Sequence, residues 1–145
     1  MEISRAREDD LQALLALYTQ LHDNPMPGMD EKLYALWREI LGDKNHYVLV
    51  GLMDGVIVSS LVMVVVPNLT HGQKPYALIE NVITDEKWRG RGYATALLDH
   101  AKKIALERKC YKIMLLTGSK KASTLNFYRK AGYNSEDKTG FIQWL

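Results

Sequence analysis

The feature that most constrains this sequence is a glycine-rich turn that joins an apolar strand to an amphipathic helix. The turn, Arg89-Gly90-Arg91-Gly92, follows a strand predicted at 76–84. A helix start leaves backbone N–H groups without partners and carries roughly half a positive charge, so it can bind a phosphate. The glycines would let the backbone approach the phosphate oxygens, and the arginines would add positive charge. The turn therefore predicts a phosphate site, and a basic turn that binds nothing is the alternative. The apolar residues at helical spacing after it are Ala94, Leu97, Leu98, Ala101, Ile104 and Ala105.

The rest of the chain alternates between strand and helix patterns in the order β-α-α-β-β-β-α-β-α-β, with one more short strand possible at Tyr133. The strand, helix and strand between 76 and 117 imply a right-handed parallel crossover. Asp54-Gly55 between two apolar runs implies a β-hairpin. We therefore expect an α+β or mixed α/β fold with helices on both faces of a sheet. The predicted strands are 2–7, 47–53, 56–66, 76–84, 111–117 and a last strand ending at Leu145, and the predicted helices start at 9 or 10, at 30, after the turn and at 121.

Length, charge and cysteine content limit the classes of protein that this chain can belong to. Its 145 residues, 47% of them hydrophobic, suit a single domain over 1–145. A formal net charge of +2 is too small for a typical nucleic-acid-binding protein. The sequence has neither an apolar run of about 18 residues nor a signal-peptide pattern, so we expect a cytoplasmic protein without a membrane partner. The single cysteine, Cys110, excludes an internal disulfide and is expected to serve packing.

Two motifs carry a resemblance to a known family. The turn is neither a nucleotide P-loop nor a dinucleotide-binding G-x-G-x-x-G motif, because Thr95 stands where the third glycine would be. It resembles instead the Arg/Gln-x-x-Gly-x-Gly/Ala pattern of the GNAT N-acyltransferases, at Arg89, Gly92 and Ala94. The segment 125–133 resembles the closing signature of that family, an aromatic-Tyr pair, basic residues and Gly before an aromatic residue. The closing half is similar to glucosamine-6-phosphate N-acetyltransferases.

This resemblance extends over the whole chain and implies the GNAT fold, a mostly antiparallel sheet of six to seven strands with helices on both faces. It also implies acetyl-CoA as the co-substrate and no metal. Lys121 stands where the family often has an asparagine that contacts CoA, and it could meet a CoA phosphate instead. The residues implied to bind acetyl-CoA are Val82, Ile83 and Thr84 along the pantetheine, Arg89, Gly90, Arg91, Gly92, Tyr93, Ala94 and Thr95 at the pyrophosphate, and Lys121 and Asn126.

Two residues are candidates for acid–base chemistry. The resemblance assigns Tyr128 to the proton donor for the departing thiolate, which a phenol can do, and a packed core aromatic is the alternative. Glu80 is the carboxylate inside the apolar strand 78–84, where partial desolvation would make it a better base for the attacking amine. An acceptor-binding or structural role for Glu80 is nearly as consistent with the sequence.

The acceptor site is less constrained than the cofactor site. Polar residues before the motif strand and on the two front helices could form a pocket for an anionic small molecule, although a solvated polar loop is the alternative. These residues are His71, Lys74, Tyr76, Arg38 and His22.

The sequence thus predicts an N-acetyltransferase that acts on a small primary amine, such as an aminosugar phosphate or an aminophosphonate. Direct transfer is expected, because the sequence shows no Cys-His or Ser-His arrangement for a covalent intermediate. The alternatives are a protein or peptide N-acetyltransferase and a non-catalytic acyl-CoA-binding sensor. Exposed strand edges and Trp144 are compatible with a homodimer, although Trp144 itself is expected to pack in the core.

Overall fold

The computed structural model describes residues 1–22 and 24–145. Within it the chain forms two compact units, Met1–Met114 and Leu115–Leu145. A five-stranded sheet follows the order of the chain. The strands are β1 (Glu2–Arg5), β2 (His46–Met53), β3 (Val56–Val66), β4 (Tyr76–Thr84) and β5 (Ile113–Leu115), and the helices are α1 (Leu11–Tyr18), α2 (Glu31–Gly42), α3 (Tyr93–Glu107) and α4 (Ala122–Lys130).

The strands β1 to β4 pair as antiparallel neighbours. The hairpin predicted between β2 and β3 is confirmed: Asp54 and Gly55 both have positive φ, 50° and 80°, as a type I′ turn requires. On the other side of β4, the Tyr111 N–H donates to the Pro75 carbonyl and the Ala77 N–H donates to the Lys112 carbonyl, both at 3.0 Å. The partners advance in the same direction along both segments, so β4 and β5 run parallel, as the predicted crossover requires.

Helices cover both faces of this sheet. Val48 and Val50 of β2 share an apolar cluster with Leu14 of α1 and Trp37 of α2. Leu49, between the two valines, is fully buried on the opposite face, because side chains alternate along a strand. The side chains that α3 buries are Leu97, Leu98, Ala101 and Ala105, which belong to the apolar stripe predicted from the sequence.

Local signals place the helix ends correctly. Asp30 caps α2, because its carboxylate accepts a hydrogen bond of 2.9 Å from the Leu33 N–H. Gly132, with φ of 92°, follows α4 as the predicted terminator. None of the helices in residues 1–22 and 24–145 is both long and apolar enough to cross a bilayer.

The predicted number of strands is wrong. Six to seven strands were expected, whereas the described residues form five, with no strand at Tyr133 or at the C-terminus. The strand expected at 111–117 is also shorter, since β5 covers only Ile113–Leu115. The last apolar residues are exposed to solvent, and the expectation that Trp144 packs in the core is wrong. Their composition favours a strand, but no strand among the described residues pairs with them.

Candidate functional site

A bulge interrupts the pairing of β4 with β3. Ser60 pairs with Ile83 and Val62 pairs with Glu80, so Asn81 and Val82 stand opposite the single Leu61. Asn81 has a positive φ of 52°, a conformation that asparagine tolerates better than most residues. An extra residue of this kind bends a strand and changes the direction of its side chains. The bulge therefore separates the regular first half of β4 from its last residues.

Glu80 and Asn81 are exposed at this bulge, while Ile79 and Ile83 on either side are buried. The apolar strand therefore does not enclose the Glu80 side chain. The expectation that an apolar strand would desolvate this carboxylate is wrong, because it assumed regular alternation of buried side chains through residues 78–84. Glu80 is instead accessible to a molecule approaching from solvent.

On one side, the last residues of β4 form hydrogen bonds with Ser59 of β3. On the other side, they extend beyond the end of β5. The Ser59 hydroxyl donates to the Ile83 carbonyl and also forms a hydrogen bond with the Thr84 hydroxyl, both at 2.8 Å. The β5 side joins β4 near its beginning, at Ala77, and β5 is only three residues long. The edge of β4 at 82–84 is therefore positioned to pair with an extended ligand.

The glycine turn adopts the geometry expected of an anion site. Gly90 and Gly92 have φ of 74° and 81°, which favours glycine, and a Cβ at either position would have no heavy atom within 4 Å. Gly92 is the N-cap of α3 and supplies no side-chain acceptor. The first N–H groups of α3, from Tyr93 to Thr95, therefore lie at a helix start with open space before it, which fits a pyrophosphate.

Two arginines flank this turn and are partly held by backbone carbonyls. The Arg89 Nε donates to the Thr84 carbonyl at 3.0 Å, so the guanidinium lies beside the end of β4. The Arg91 guanidinium lies over the Trp88 ring, 4.8 Å from its centre, and donates to the Lys87 carbonyl at 3.4 Å. Both side chains are exposed and retain donors that could bind a phosphate.

Gln20, just after α1, connects the end of that helix to residues 85–86, which precede the glycine turn. Its amide nitrogen donates to Asp85 Oδ2 at 2.9 Å, and its amide oxygen accepts from the Glu86 N–H at 3.0 Å. The Gln20 hydrogen bond, with a second from the Lys87 N–H, lowers the pKa of the Asp85 carboxyl. Sequence reasoning missed Gln20, because a glutamine near the end of a helix has no distinctive pattern and its partner is 65 residues away.

The second unit presents Tyr128 within a group of aromatic rings. Its ring centre is 4.9 Å from that of Phe127 and 6.3 Å from that of Tyr133, in edge-to-face arrangements. Lys121 is the exposed N-cap of α4, and the Asn126 amide oxygen accepts from the Arg129 guanidinium at 3.3 Å. Tyr128 is half-buried, so its environment combines packing with access.

The five polar residues expected to form an acceptor pocket belong to two different parts of the fold, the loop and strand start at 71–76 and the segments on or after the front helices. Tyr76 begins β4, eight residues before Thr84, so about 26 Å of strand separates it from the end of β4 that leads to the glycine turn. His71 stacks on Tyr111 at that far end, with ring centres 4.0 Å apart. Lys74 lies, like His71, in the loop that precedes β4. Arg38 and His22, by contrast, are on α2 and after α1: Arg38 pairs with Glu31 of its own helix at 2.6 Å, and His22 lies two residues beyond Gln20.

Other reactive groups do not suggest a second centre in the part of the chain that the structure describes. Residues 1–22 and 24–145 contain no group of three or more His, Cys, Asp or Glu side chains that could hold a metal ion. Burial raises the pKa of the Cys110 thiol, which disfavours the reactive thiolate and agrees with the packing role predicted for this residue.

Comparison with known proteins identifies relatives of similar length. A family model described as the acetyltransferase (GNAT) family matches residues 9–133. Glucosamine 6-phosphate N-acetyltransferase of Trypanosoma brucei brucei is 29% identical over 139 residues, which are 95% of this chain and 92% of that protein.

Solved structures share the fold over the whole chain. A protein of Agrobacterium tumefaciens str. C58, provisionally assigned as an acetyltransferase, is 36% identical with a TM-score of 0.94 and covers 100% of both chains. Aminoglycoside N-acetyltransferase AAC(6′)-Iy in complex with CoA is 16% identical with a TM-score of 0.76 over 99% of each chain, a likeness that shows the fold alone.

Proposed function

Because the chain belongs to the GNAT acetyltransferase family, and is thus an acyltransferase, we propose that it transfers an acetyl group from acetyl-CoA directly to the primary amine of a small molecule. Residues 1–145 would act as one catalytic domain. The observation that carries this proposal is that the exposed, bulged end of β4 leads directly into the glycine turn and the start of α3. This arrangement supplies a strand edge and an anion site in succession, which suits a long ligand with a pyrophosphate.

In this proposal the pantetheine arm pairs with the backbone of Val82, Ile83 and Thr84, and the pyrophosphate binds at 90–95. The open space at both glycines and the absence of a side-chain cap on α3 support it, because the ligand oxygens would complete the N–H groups of the helix start. Arg89 and Arg91 add charge-assisted hydrogen bonds. Lys121 and Asn126, at α4, are proposed as further contacts on the family resemblance.

The reaction needs one base and one acid. The amine must be deprotonated before its lone pair attacks the thioester carbonyl carbon, and we assign Glu80, directly or through water, as the acceptor of that proton. The tetrahedral intermediate then breaks its C–S bond and releases the CoA thiolate. Tyr128 is assigned, on the closing motif, to donate a proton to this sulfur, so the products are an amide and free CoA thiol.

The acceptor class that we propose is an aminosugar phosphate, an aminophosphonate or a similar small amine. Support comes from the Trypanosoma brucei brucei relative named for glucosamine 6-phosphate, which matches this chain over nearly its whole length. The exposure of Glu80 and Asn81 at the bulge provides a polar surface on which such an acceptor could be oriented.

The test is thiol release from acetyl-CoA across a panel of aminosugar phosphates, aminoalkylphosphonates, polyamines, amino acids and short peptides. We expect release with one small-amine class and a kcat about 100-fold lower for Tyr128→Phe, because general acid catalysis contributes at least this much. Tyr34→Phe, which removes a hydroxyl from a partly exposed tyrosine on α2, is the matched control.

The alternatives give different results in the same assay. Release with peptides alone would make the chain a peptide N-acetyltransferase, and saturable acetyl-CoA binding without release from any amine would favour the sensor. We also propose a homodimer, because the sheet ends in a strand with an open edge. A cytoplasmic location remains a prediction from the sequence.

A further inference from the structure

Two serines lie inside the otherwise apolar strand β3. The other nine residues of Val56–Val66 are all apolar. Ser59 and Ser60 are both completely buried, and in residues 1–22 and 24–145 they are the only buried residues with side chains that are neither apolar nor aromatic. A buried hydroxyl costs free energy unless it is hydrogen-bonded, so the bonds that these two serines make indicate what each contributes.

The two serines bond to different neighbours of β3. The Ser60 hydroxyl donates to the Leu49 carbonyl of β2 at 2.9 Å. The Ser59 hydroxyl donates to the Ile83 carbonyl of β4, and since this uses its one hydrogen, the Thr84 hydroxyl must donate to the Ser59 oxygen in the bond between them. The Ser59 side chain therefore satisfies two groups at the end of β4, whereas the Ser60 side chain bonds to β2.

This end of β4 pairs with β3 over a short stretch. The bulge at 81–82 interrupts the ladder, so pairing resumes at Ile83 and Thr84. One residue later, the Asp85 N–H donates to the Val58 carbonyl at 2.9 Å, and the chain then leaves the sheet. Because so few ladder bonds follow the bulge, two side-chain bonds from one buried serine are a large share of what holds this segment.

Thr84 connects Ser59 to the glycine turn. The Thr84 carbonyl accepts from Arg89 Nε at 3.0 Å, which places the guanidinium beside the strand end. Ile83 and Asp85, on either side, direct backbone groups toward β3, so the Thr84 N–H and carbonyl face the opposite, open edge. A displacement of Thr84 would therefore move both the strand edge and one arginine of the turn.

We infer that Ser59 is a positioning residue for acetyl-CoA: its hydroxyl fixes the end of β4 in the arrangement that the ligand binds. This inference rests on the proposed function, in which the pantetheine pairs with this strand edge and the pyrophosphate binds at the turn. Ser59 is completely buried, so it acts through Ile83 and Thr84 and not by contact with the ligand. A preformed edge reduces the cost of ordering on binding, so loss of the hydroxyl weakens binding without removing either proposed acid–base group.

Isothermal titration with CoA, which needs no turnover, measures this contribution. Ser59→Ala should raise the Kd for CoA about 10-fold, because it removes both hydrogen bonds to the end of β4. Ser60→Ala deletes the same hydroxyl from the adjacent, equally buried position and is the matched control, with a Kd within twofold of wild type. Both variants should lower the melting temperature by about 3–5 °C, so a loss of stability alone would not explain the difference in Kd.

A double-mutant cycle separates positioning from a general loss of stability. Thr84→Val removes the hydroxyl with little change of shape and should raise the Kd about 3-fold, while Thr84→Ser, which keeps the hydroxyl, should stay within twofold of wild type. In the Ser59→Ala background, Thr84→Val should have no further effect, because the bond that it removes is already lost. In thiol release, Ser59→Ala should raise the KM for acetyl-CoA and leave kcat within twofold of wild type.

The outcomes distinguish this inference from the proposed function. Equal Kd values for Ser59→Ala and Ser60→Ala would overturn the role of Ser59 and leave the proposed function intact. A double variant whose effect is the product of the two single effects, or a fall in kcat with an unchanged Kd, would do the same. A wild-type chain that binds no CoA would overturn the proposed function and this inference together.

Discussion

The two ends of β4 were both predicted to be functional, and the structure distinguishes them. At the end near Thr84, a bulge, two positive-φ glycines and a helix start present backbone groups to solvent. At the end near Tyr76, His71 contacts residues of its own surroundings: its ring stacks on Tyr111, and the Thr70 hydroxyl is 3.0 Å from its Nδ1. In the proposed function, available backbone geometry therefore marks the binding site, and a collection of polar side chains does not.

The largest effect should follow from Glu80→Gln. Removing the proposed base at the bulge should lower kcat about 100-fold with little change in the KM for acetyl-CoA, because proton transfer is lost while the turn is intact. Steady-state kinetics measure both parameters. Glu107→Gln, at the far end of α3, is the control. Equal kcat values for wild type and Glu80→Gln would restrict Glu80 to binding or structure.

Gly92→Val should act mainly on acetyl-CoA binding. Valine is strained at a φ of 81° and would fill the space before α3, so the KM for acetyl-CoA should rise roughly 30-fold. Gly72→Val introduces a similar strain at a φ of 66° at the other end of β4. If both variants weaken acetyl-CoA binding equally, strain alone is responsible and the two ends do not differ as proposed.

Gln20→Ala should have a smaller effect on acetyl-CoA binding, because Gln20 only positions the residues that precede the turn. Loss of its two hydrogen bonds to residues 85–86, which precede the turn, should raise the KM for acetyl-CoA about 5-fold and leave kcat within twofold, since Gln20 contacts no reacting group in this proposal. Gln12→Ala, on the exposed face of α1, is the control. An unchanged KM, measured beside that control, would remove Gln20 from the binding mechanism.

The same variant gives a pH dependence with a defined sign. Gln20 lowers the pKa of Asp85 in the folded chain, so its stabilising contribution is present above the ordinary aspartate pKa of 3.8 and is lost as pH falls through the lowered value. The difference in unfolding free energy between wild type and Gln20→Ala should therefore be largest near neutral pH. Denaturant unfolding at several pH values measures it, and a difference that grows toward acid would contradict the assignment.

The smallest effect on catalysis should come from His71→Ala. Loss of the stack on Tyr111 should lower the melting temperature by about 2–4 °C, because such pairs contribute roughly 1 kcal/mol. The ratio kcat/KM should stay within twofold of wild type for both substrates. A large rise in the KM for the acceptor would show that the Tyr76 end of β4 contributes to acceptor binding. The two ends of β4 would then not differ in function as proposed.

Local patterns predicted much of this chain correctly. The hairpin at Asp54-Gly55, the strand β4, the turn before α3 and the end of α4 at Gly132 depend on φ preferences and on periodicity within a few residues. The bulge at Asn81 was not predictable in this way, because it arises from the register between β3 and β4. For the same reason the exposure of Glu80 was missed.

The sequence by itself determined the family, the glycine turn before α3 and the order of most elements, since each depends on residues close together in the chain. Tertiary structure decided which polar residues share a neighbourhood: Gln20 reaches Asp85, while Tyr76 lies a strand length away from the turn. It also decided that residues 140–145, despite their apolar composition, form no strand. Strand formation requires a neighbour to complete the backbone hydrogen bonds, and composition alone does not supply one.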